Sequence, residues 1–303
     1  MSMFDSLVRA TLPITPRPMV HFFARRYVAG SRLEDAIATV QRLAQQGCCA
    51  TIDVLGESVT ERRHATAAVA AYHEVLEAIT TNSLPAHVSL KPTQMGLNID
   101  HSFCRDNIAA VLERAHARGI FVRIDMEESP TTDATLRVYH ELIGRYPHGA
   151  GVVLQARLRR TLADATALAR FGANVRLCKG IYLEPRTIAY EERDIIRNAF
   201  VHALRILLEG GVFVGIATHD EWLICEALAI IHRLGLGTDR YEFQMLLGVD
   251  PELRRILTDA GHRLRVYIPF GSHWYPYSVR RLRENPTIAR VGLEAFLRGR
   301  MES

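Results

Sequence analysis

From residue 49 to residue 271 the chain alternates between two rhythms. Short β-branched runs, polar and apolar by turns, are each followed by an Ala-, Leu- and Arg-rich stretch with helical spacing. The runs are CATIDVLG (49–56), HVSLKPT (87–93), FVRIDME (121–127), GVVLQA (151–156), NVRLCKG (174–180), FVGIAT (213–218), YEFQML (241–246) and RLRVYIPFG (263–271). Stretches such as 61–81, 102–118 and 186–209 separate them as helices. Eight β–α units in about 250 residues predict an α/β chain folded as a (β/α)8 barrel. An open doubly wound sheet uses the same units, so strand count alone leaves closure undecided.

Strand side chains alternate between two faces. One parity here is apolar: Val88 and Leu90, Val122 and Ile124, Val175 and Leu177, Val266 and Ile268. The other is polar: Thr51 and Asp53, Ser89 and Lys91, Arg123 and Asp125, Gln155, Arg176, Glu242 and Gln244, Arg265 and Tyr267. Buried parallel strands are ordinarily apolar on both faces, and an unpartnered buried charge costs several kcal/mol. An interior that pairs these groups and holds a polar ligand accounts for the pattern; a plug of mutual salt bridges is the plainer alternative. Lys91, Asp125, Arg176, Thr218 and Tyr267 fall at the C-terminal ends of their strands, the end where such barrels carry their chemistry.

Composition narrows the class. The chain has 303 residues, 48% hydrophobic and 23% charged, which excludes a disordered chain, a collagen-like fibre and a small disulfide scaffold. No apolar run approaches the ~18 residues of a membrane span. MSMFDSLVRATLP carries an early Asp5 and no apolar core, so no export signal is expected. The net charge of +4 is too mild for a nucleic-acid partner and suits anionic substrates or lipid head groups. Arg supplies every cationic side chain except Lys91 and Lys179. Cys48, Cys49, Cys104, Cys178 and Cys225 have no metal-ligand spacing and read as reduced cytoplasmic thiols in the core; no metal site is expected. Residues 1–30 are expected as a helical extension before a barrel of residues 31–303. There Met19, Phe23 and Tyr27 recur at helical spacing beside Arg25 and Arg26. That pattern fits a helix on a membrane surface or, more commonly, one packed on the barrel.

Phosphate signals are weak. The chain has no Walker A and no GxGxxG. KGIY (179–182) ends one strand, where a glycine admits close backbone approach. ATHD (217–220) opens a helix whose N-terminus favours anions, although Thr218 or Asp220 would serve equally as a plain cap. In WYPYSVRRLRENP, Tyr277, Arg280, Arg281 and Glu284 fall on one stripe of a helix following the last strand. Glu284 can answer one guanidinium, and a substrate carboxylate fits the other; a solvated surface helix is the alternative.

YIPFGSHWYPYSVRRLREN (Tyr267 to Asn285) resembles the C-terminal signature of proline dehydrogenases. The resemblance extends to DVLGE, SLKPTQMGL, RIDME, VVLQA, VRLCKGIY, ATHD and YEFQMLLG, in order, over residues 30–300. It implies a distorted (β/α)8 barrel with a helix over the active site and a noncovalent FAD. The implied reaction oxidises L-proline to Δ1-pyrroline-5-carboxylate by hydride transfer from proline C5 to flavin N5. The implied electron acceptor is a membrane quinone. A cytoplasmic enzyme peripherally associated with the inner membrane follows from that, with a separate pyrroline-5-carboxylate dehydrogenase to take the product.

The resemblance also assigns roles. Lys91, Arg280 and Arg281 look like a carboxylate clamp, Asp125 like the aspartate beside the proline ring, and Arg176 like the arginine at flavin N5. Gln155, Lys179, Gly180, Ile181, Thr218 and His219 resemble flavin-binding positions, with Met126 near the ring and Glu284 an FAD-side contact. Tyr182, Leu177, Tyr267 and Tyr277 look like walls of the proline pocket. Glu57 resembles the acid that pairs with Arg280 on closure. The chain departs from many relatives at Pro92-Thr93, at Cys178 and Ile181, and at Asp220, where Asn is common; Ile181 would narrow the pocket slightly. Two other classes share the barrel: a lyase using Lys91 or Lys179 as a Schiff-base amine, and a catalytically inert binding protein.

Overall fold

The computed structural model describes residues 25–275 and 277–279. Eight parallel strands close into a barrel in chain order, β1 to β8. They are β1 Cys49–Val54, β2 Ala86–Leu90, β3 Val122–Ile124, β4 Ala150–Gln155, β5 Asn174–Cys178, β6 Val214–Ala217, β7 Tyr241–Leu246 and β8 Leu264–Phe270. Thr51 stands opposite His87 on β2 and opposite Tyr267 on β8, the pairing that shuts the ring. Helix α1 (Leu33–Ala44) precedes β1. The crossovers carry α2 Arg62–Thr81, α3 His101–His116, α4 Thr132–Ile143, α5 Thr161–Phe171, α6 Arg193–Glu209, α7 Glu221–Leu234 and α8 Pro251–Asp259.

Local sequence explains where helices start and which face they bury. Asp100 caps α3 by accepting the Phe103 N–H at 2.7 Å, an arrangement contributing about 1 kcal/mol. Asp250 does the same for α8, with Pro251 in the first turn. On α2 the residues Ala65, Ala68, Tyr72, Val75, Leu76 and Ile79 form one buried stripe. It meets the apolar strand parity, where Ile52, Val88, Ile124, Val175, Leu177, Ile216 and Val266 are wholly buried. The main core is thus the annulus between helices and strands. The lumen is left to the polar parity.

Two expectations are corrected. Residues 186–192 are not the first turns of a long helix; α6 begins at Arg193. Their backbone is committed elsewhere: Ile188 O accepts the Arg159 N–H at 2.9 Å, and Tyr190 N–H donates to Arg157 O at 2.8 Å. Leu158 and Ala189 form an antiparallel bridge. The segment is a strap across the β4–α5 connection. Residues 25–30 are not helical either. They dock on the end of β8, with Ala29 N–H donating to Pro269 O at 2.9 Å. Met19 and Phe23 lie outside the described residues.

Candidate active site

The lumen holds two polar layers. In the lower one, Arg265 grips Glu242 through Nε (2.6 Å) and Nη2 (3.0 Å), and its Nη1 donates to Ala50 O at 2.7 Å. Burial raises the Glu242 carboxyl, but Arg265 outweighs it and the net shift is downward. Arg123 donates to Val152 O and Asn174 O, both at 2.9 Å, and to Asn174 Oδ1 at 2.6 Å. Burial, then Arg176, pulls the Arg123 guanidinium down to about 9, so it stays charged at neutral pH. Gly151 supplies the room: a Cβ there would overlap Arg123 Nη1. The charged groups of this layer are answered by neighbouring strands, except that Arg123 Nε is buried without a hydrogen-bond partner while its guanidinium lies 4.8 Å from the centre of the Phe121 ring.

The upper layer centres on Asp125. Its Oδ1 accepts from Arg176 Nη1 (2.8 Å) and Ser89 Oγ (3.0 Å), and its Oδ2 from the Tyr267 hydroxyl (2.9 Å). The Arg176 guanidinium lies 5.3 Å from the centre of the Tyr267 ring, a cation–π contact. Its Nε donates to Gln244 Oε1 at 2.5 Å. Burial, then Asp125 and Asp53, hold the Tyr267 phenol well above its usual range, so it remains a donor. Beside this cluster Lys91 Nζ donates to both Asp53 oxygens at 2.8 Å. Burial depresses the Lys91 ammonium, but Asp53 and Asp125 prevail and raise it. Lys91 is therefore held cationic, the opposite of what a Schiff-base amine requires. An ammonium has three donors; two go to Asp53.

On the rim of β4 to β6, donors surround a bare stretch of backbone. Gly180 sits at φ +91°, and a Cβ there would come within 2.9 Å of Arg157 and 3.0 Å of Gln155 Oε1. Gln155 Nε2 donates to Glu127 O at 2.8 Å. Asp220 is nearly inaccessible and gathers Arg197 (2.8 and 2.9 Å) and Lys179 (3.1 Å). Burial raises the Asp220 carboxyl, but these cations hold it well below the carboxylate range. Thr218 Oγ1 accepts the Asp220 N–H at 3.1 Å. His219 Nε2 accepts the Leu246 N–H at 2.8 Å, which fixes the proton on Nδ1 if the ring is neutral.

The structure therefore brings Lys91, Asp125, Arg176 and Tyr267 together in one layer, with Gln155, Lys179, Gly180, Thr218 and His219 on the adjoining strand ends. Met126 is buried just after Asp125; Glu57, Ile181 and Tyr182 are half-buried in the loops after β1 and β5. Tyr277 packs with Val28, Leu55 and Trp274. Leu177 is not brought to the lumen: it shares the parity of Val175 and packs among the helices, opposite Ile216. The expected pocket-wall role is corrected on that ground. Arg280, Arg281 and Glu284 lie outside the described residues. Sequence reasoning assigned no site role to Asp53, Ser89 or Gln244. Their signal was their place on the polar parity.

Charged groups gathered at the C-terminal mouth of a closed (β/α)8 barrel define a barrel enzyme for a small polar substrate. The family model described as proline dehydrogenase matches residues 36–291. A proline dehydrogenase of Deinococcus radiodurans is 33% identical over 98% of this chain and 100% of its own length. Proline dehydrogenase 1 of Bacillus subtilis is 33% identical over 91% of each chain. Among solved structures, proline utilization A from Bdellovibrio bacteriovorus, inactivated by N-propargylglycine, superposes with a TM-score of 0.81 at 24% identity. That match covers 87% of this chain and 32% of that one, and speaks to the fold. The chain belongs to the proline dehydrogenase family. No helix among the described residues is long and apolar enough to cross a membrane.

Proposed function

We propose that the protein oxidises L-proline to Δ1-pyrroline-5-carboxylate with FAD as cofactor and a membrane quinone as final acceptor. The observation that carries this reading is the joined cluster of Lys91, Asp53, Asp125, Arg176 and Tyr267 at the barrel mouth of a proline dehydrogenase family member. Lys91 offers its remaining N–H to the substrate carboxylate; Arg280 and Arg281 complete that clamp, with Glu57 closing on Arg280. Asp125, held by three donors, is a fixed acceptor that orients Arg176 and Tyr267 toward the substrate. Tyr267, Tyr182 and Tyr277 bound the pocket. Burial disfavours the ammonium form of the proline amine and so favours the neutral amine from which hydride departs.

The rim fits FAD. The side-chain-free backbone at Gly180, whose φ of +91° suits glycine, and the donors of Lys179, Gln155, Thr218, His219 and Arg176 suit a pyrophosphate and a ring with polar edges. Met126, Ile181 and Glu284 complete that set. When bound, FAD supplies the two-electron acceptor for the hydride. Exposed Leu183, Ile188 and Ile195, in the loop after β5, on the strap and at the start of α6, favour peripheral contact with the inner membrane, where quinone is found. The product is an electrophile that a separate pyrroline-5-carboxylate dehydrogenase would consume. The test is the absorbance of the purified protein. A flavin spectrum bleached by proline is expected; a colourless protein, or one that proline leaves unchanged, overturns the proposal.

A further inference from the structure

The opposite end of the barrel holds a second polar hollow. A cavity of about 420 Å³ opens among the starts of β1, β2 and β8, the end of α2 and the turn after α3. Arg118, Arg263, Arg265, His87, Thr80 and Ser83 line it, and no carboxylate does. Glu77 answers Arg118 at 2.8 Å, and Glu242 answers Arg265. Thr80 donates its hydroxyl back to Leu76 O. The Arg263 guanidinium, exposed at the start of β8, has no ion pair or hydrogen bond among the described residues. The same holds for the Ser83 hydroxyl.

His87 makes the hollow specific. It is the first inward-facing residue of β2, opposite Thr51, and its ring lies 5.1 Å from that of Phe121. The residue is half-buried, and neither ring nitrogen has a hydrogen-bond partner among the described residues. Burial, followed by Arg265, Arg123, Arg176 and Arg263, holds the imidazole well below its ordinary range. It therefore enters neutral pH as an uncharged ring with one donor, in a field set by four guanidiniums. Glu242, paired to Arg265, is the acid beneath it. Ile79, Leu84 and Ile120 give the same hollow an apolar wall.

We propose that this hollow is a binding site for a small organic anion, a phosphate or carboxylate on a compact apolar body, with Arg263 as its principal anchor. The anion takes the free donors of Arg263, Ser83 and His87, and the body lies against the aliphatic wall. The site is independent of the chemistry at the barrel mouth.

The test uses the full chain with saturating proline present, so that the mouth is occupied. Phenyl phosphate and benzoate are titrated separately, with benzyl alcohol as the uncharged control. The histidine-ring NMR signal that disappears in His87→Gln reports occupancy. A saturable shift of that signal by one or both anions, absent with benzyl alcohol, is expected; which anion binds more tightly decides between phosphate and carboxylate. Arg263→Gln is expected to weaken binding about ten-fold or more, the scale of a lost charged contact, with proline oxidation unchanged. Ser83→Ala, at an exposed turn, should weaken it by less. No saturable shift, equal binding of benzyl alcohol, or an undiminished affinity in Arg263→Gln would each overturn the site.

Discussion

The two polar layers of the lumen are built from similar parts and do different work. Below, Arg265–Glu242 and Arg123–Asn174 use their donors on each other and on backbone carbonyls, leaving only the buried Arg123 Nε without a partner among them. Above, Lys91 gives two of its donors to Asp53 and keeps one, and Tyr267 and Arg176 converge on a single carboxylate. A polar barrel interior is thus not in itself a sign of chemistry. The distinguishing feature is where the spare donor stands: Lys91 carries it at the C-terminal end of the strands, whereas the unpartnered Arg123 Nε of the lower layer is sealed inside the protein.

The largest expected effect separates the layers by stability. Arg265→Met strands a buried Glu242 and should cost about 3–5 kcal/mol in urea unfolding, since removing one member of a buried pair leaves an uncompensated charge. Arg265→Met combined with Glu242→Leu should recover most of it. A loss below about 1 kcal/mol in the single variant would mean the lower layer is not a structural plug.

Next is Lys91→Met, read by kinetics. It should lower kcat/KM for proline by roughly 2–4 kcal/mol of transition-state binding. Adding Asp53→Asn should restore stability without restoring turnover. If turnover returns with stability, the upper layer is as structural as the lower. Tyr267→Ser comes third. It should move the ratio of kcat/KM for proline over trans-4-hydroxy-L-proline by ~1–3 kcal/mol, the scale for one small group in a pocket. An unchanged ratio would make Tyr267 a packing residue.

The smallest effect lies on the rim. Asp220 is held below the usual carboxylate range, so its stabilisation is complete above the unfolded value of ~3.9 and is lost as pH falls through the lower folded value. The stability gap between the native chain and Asp220→Asn should stay flat from neutral pH to about pH 5 and shrink only in stronger acid. A gap that closes before pH 5 would deny the Lys179–Arg197–Asp220 cluster its role.

Much of this was legible in the sequence because a strand period of two is rigid. Alternation separated Val175 from Arg176 and Val266 from Tyr267, and the barrel keeps both separations. The same rule, applied strictly, would have turned Leu177 away from the pocket. Partnerships were not legible. Asp53 and Lys91 are 38 residues apart and meet only because β1 and β2 are neighbours with a fixed register. The strap at 186–192 escaped because its backbone bonds to Arg157 and Arg159, a tertiary demand that composition does not carry.

Gln244 joins the two layers, and its geometry has a direction. Its Nε2 donates to Glu242 Oε1 at 2.6 Å while its Oε1 accepts from Arg176 Nε at 2.5 Å. A carboxylate cannot donate and a guanidinium cannot accept, so the amide fits one way round and acts as a key between floors. Glutamate at 244 would set two carboxylates face to face, and leucine would release both neighbours. The bare backbone of Gly215 is the keyway, since a methyl group there would overlap the amide. A single added carbon on β6, touching no substrate, would thereby turn the aim of Arg176.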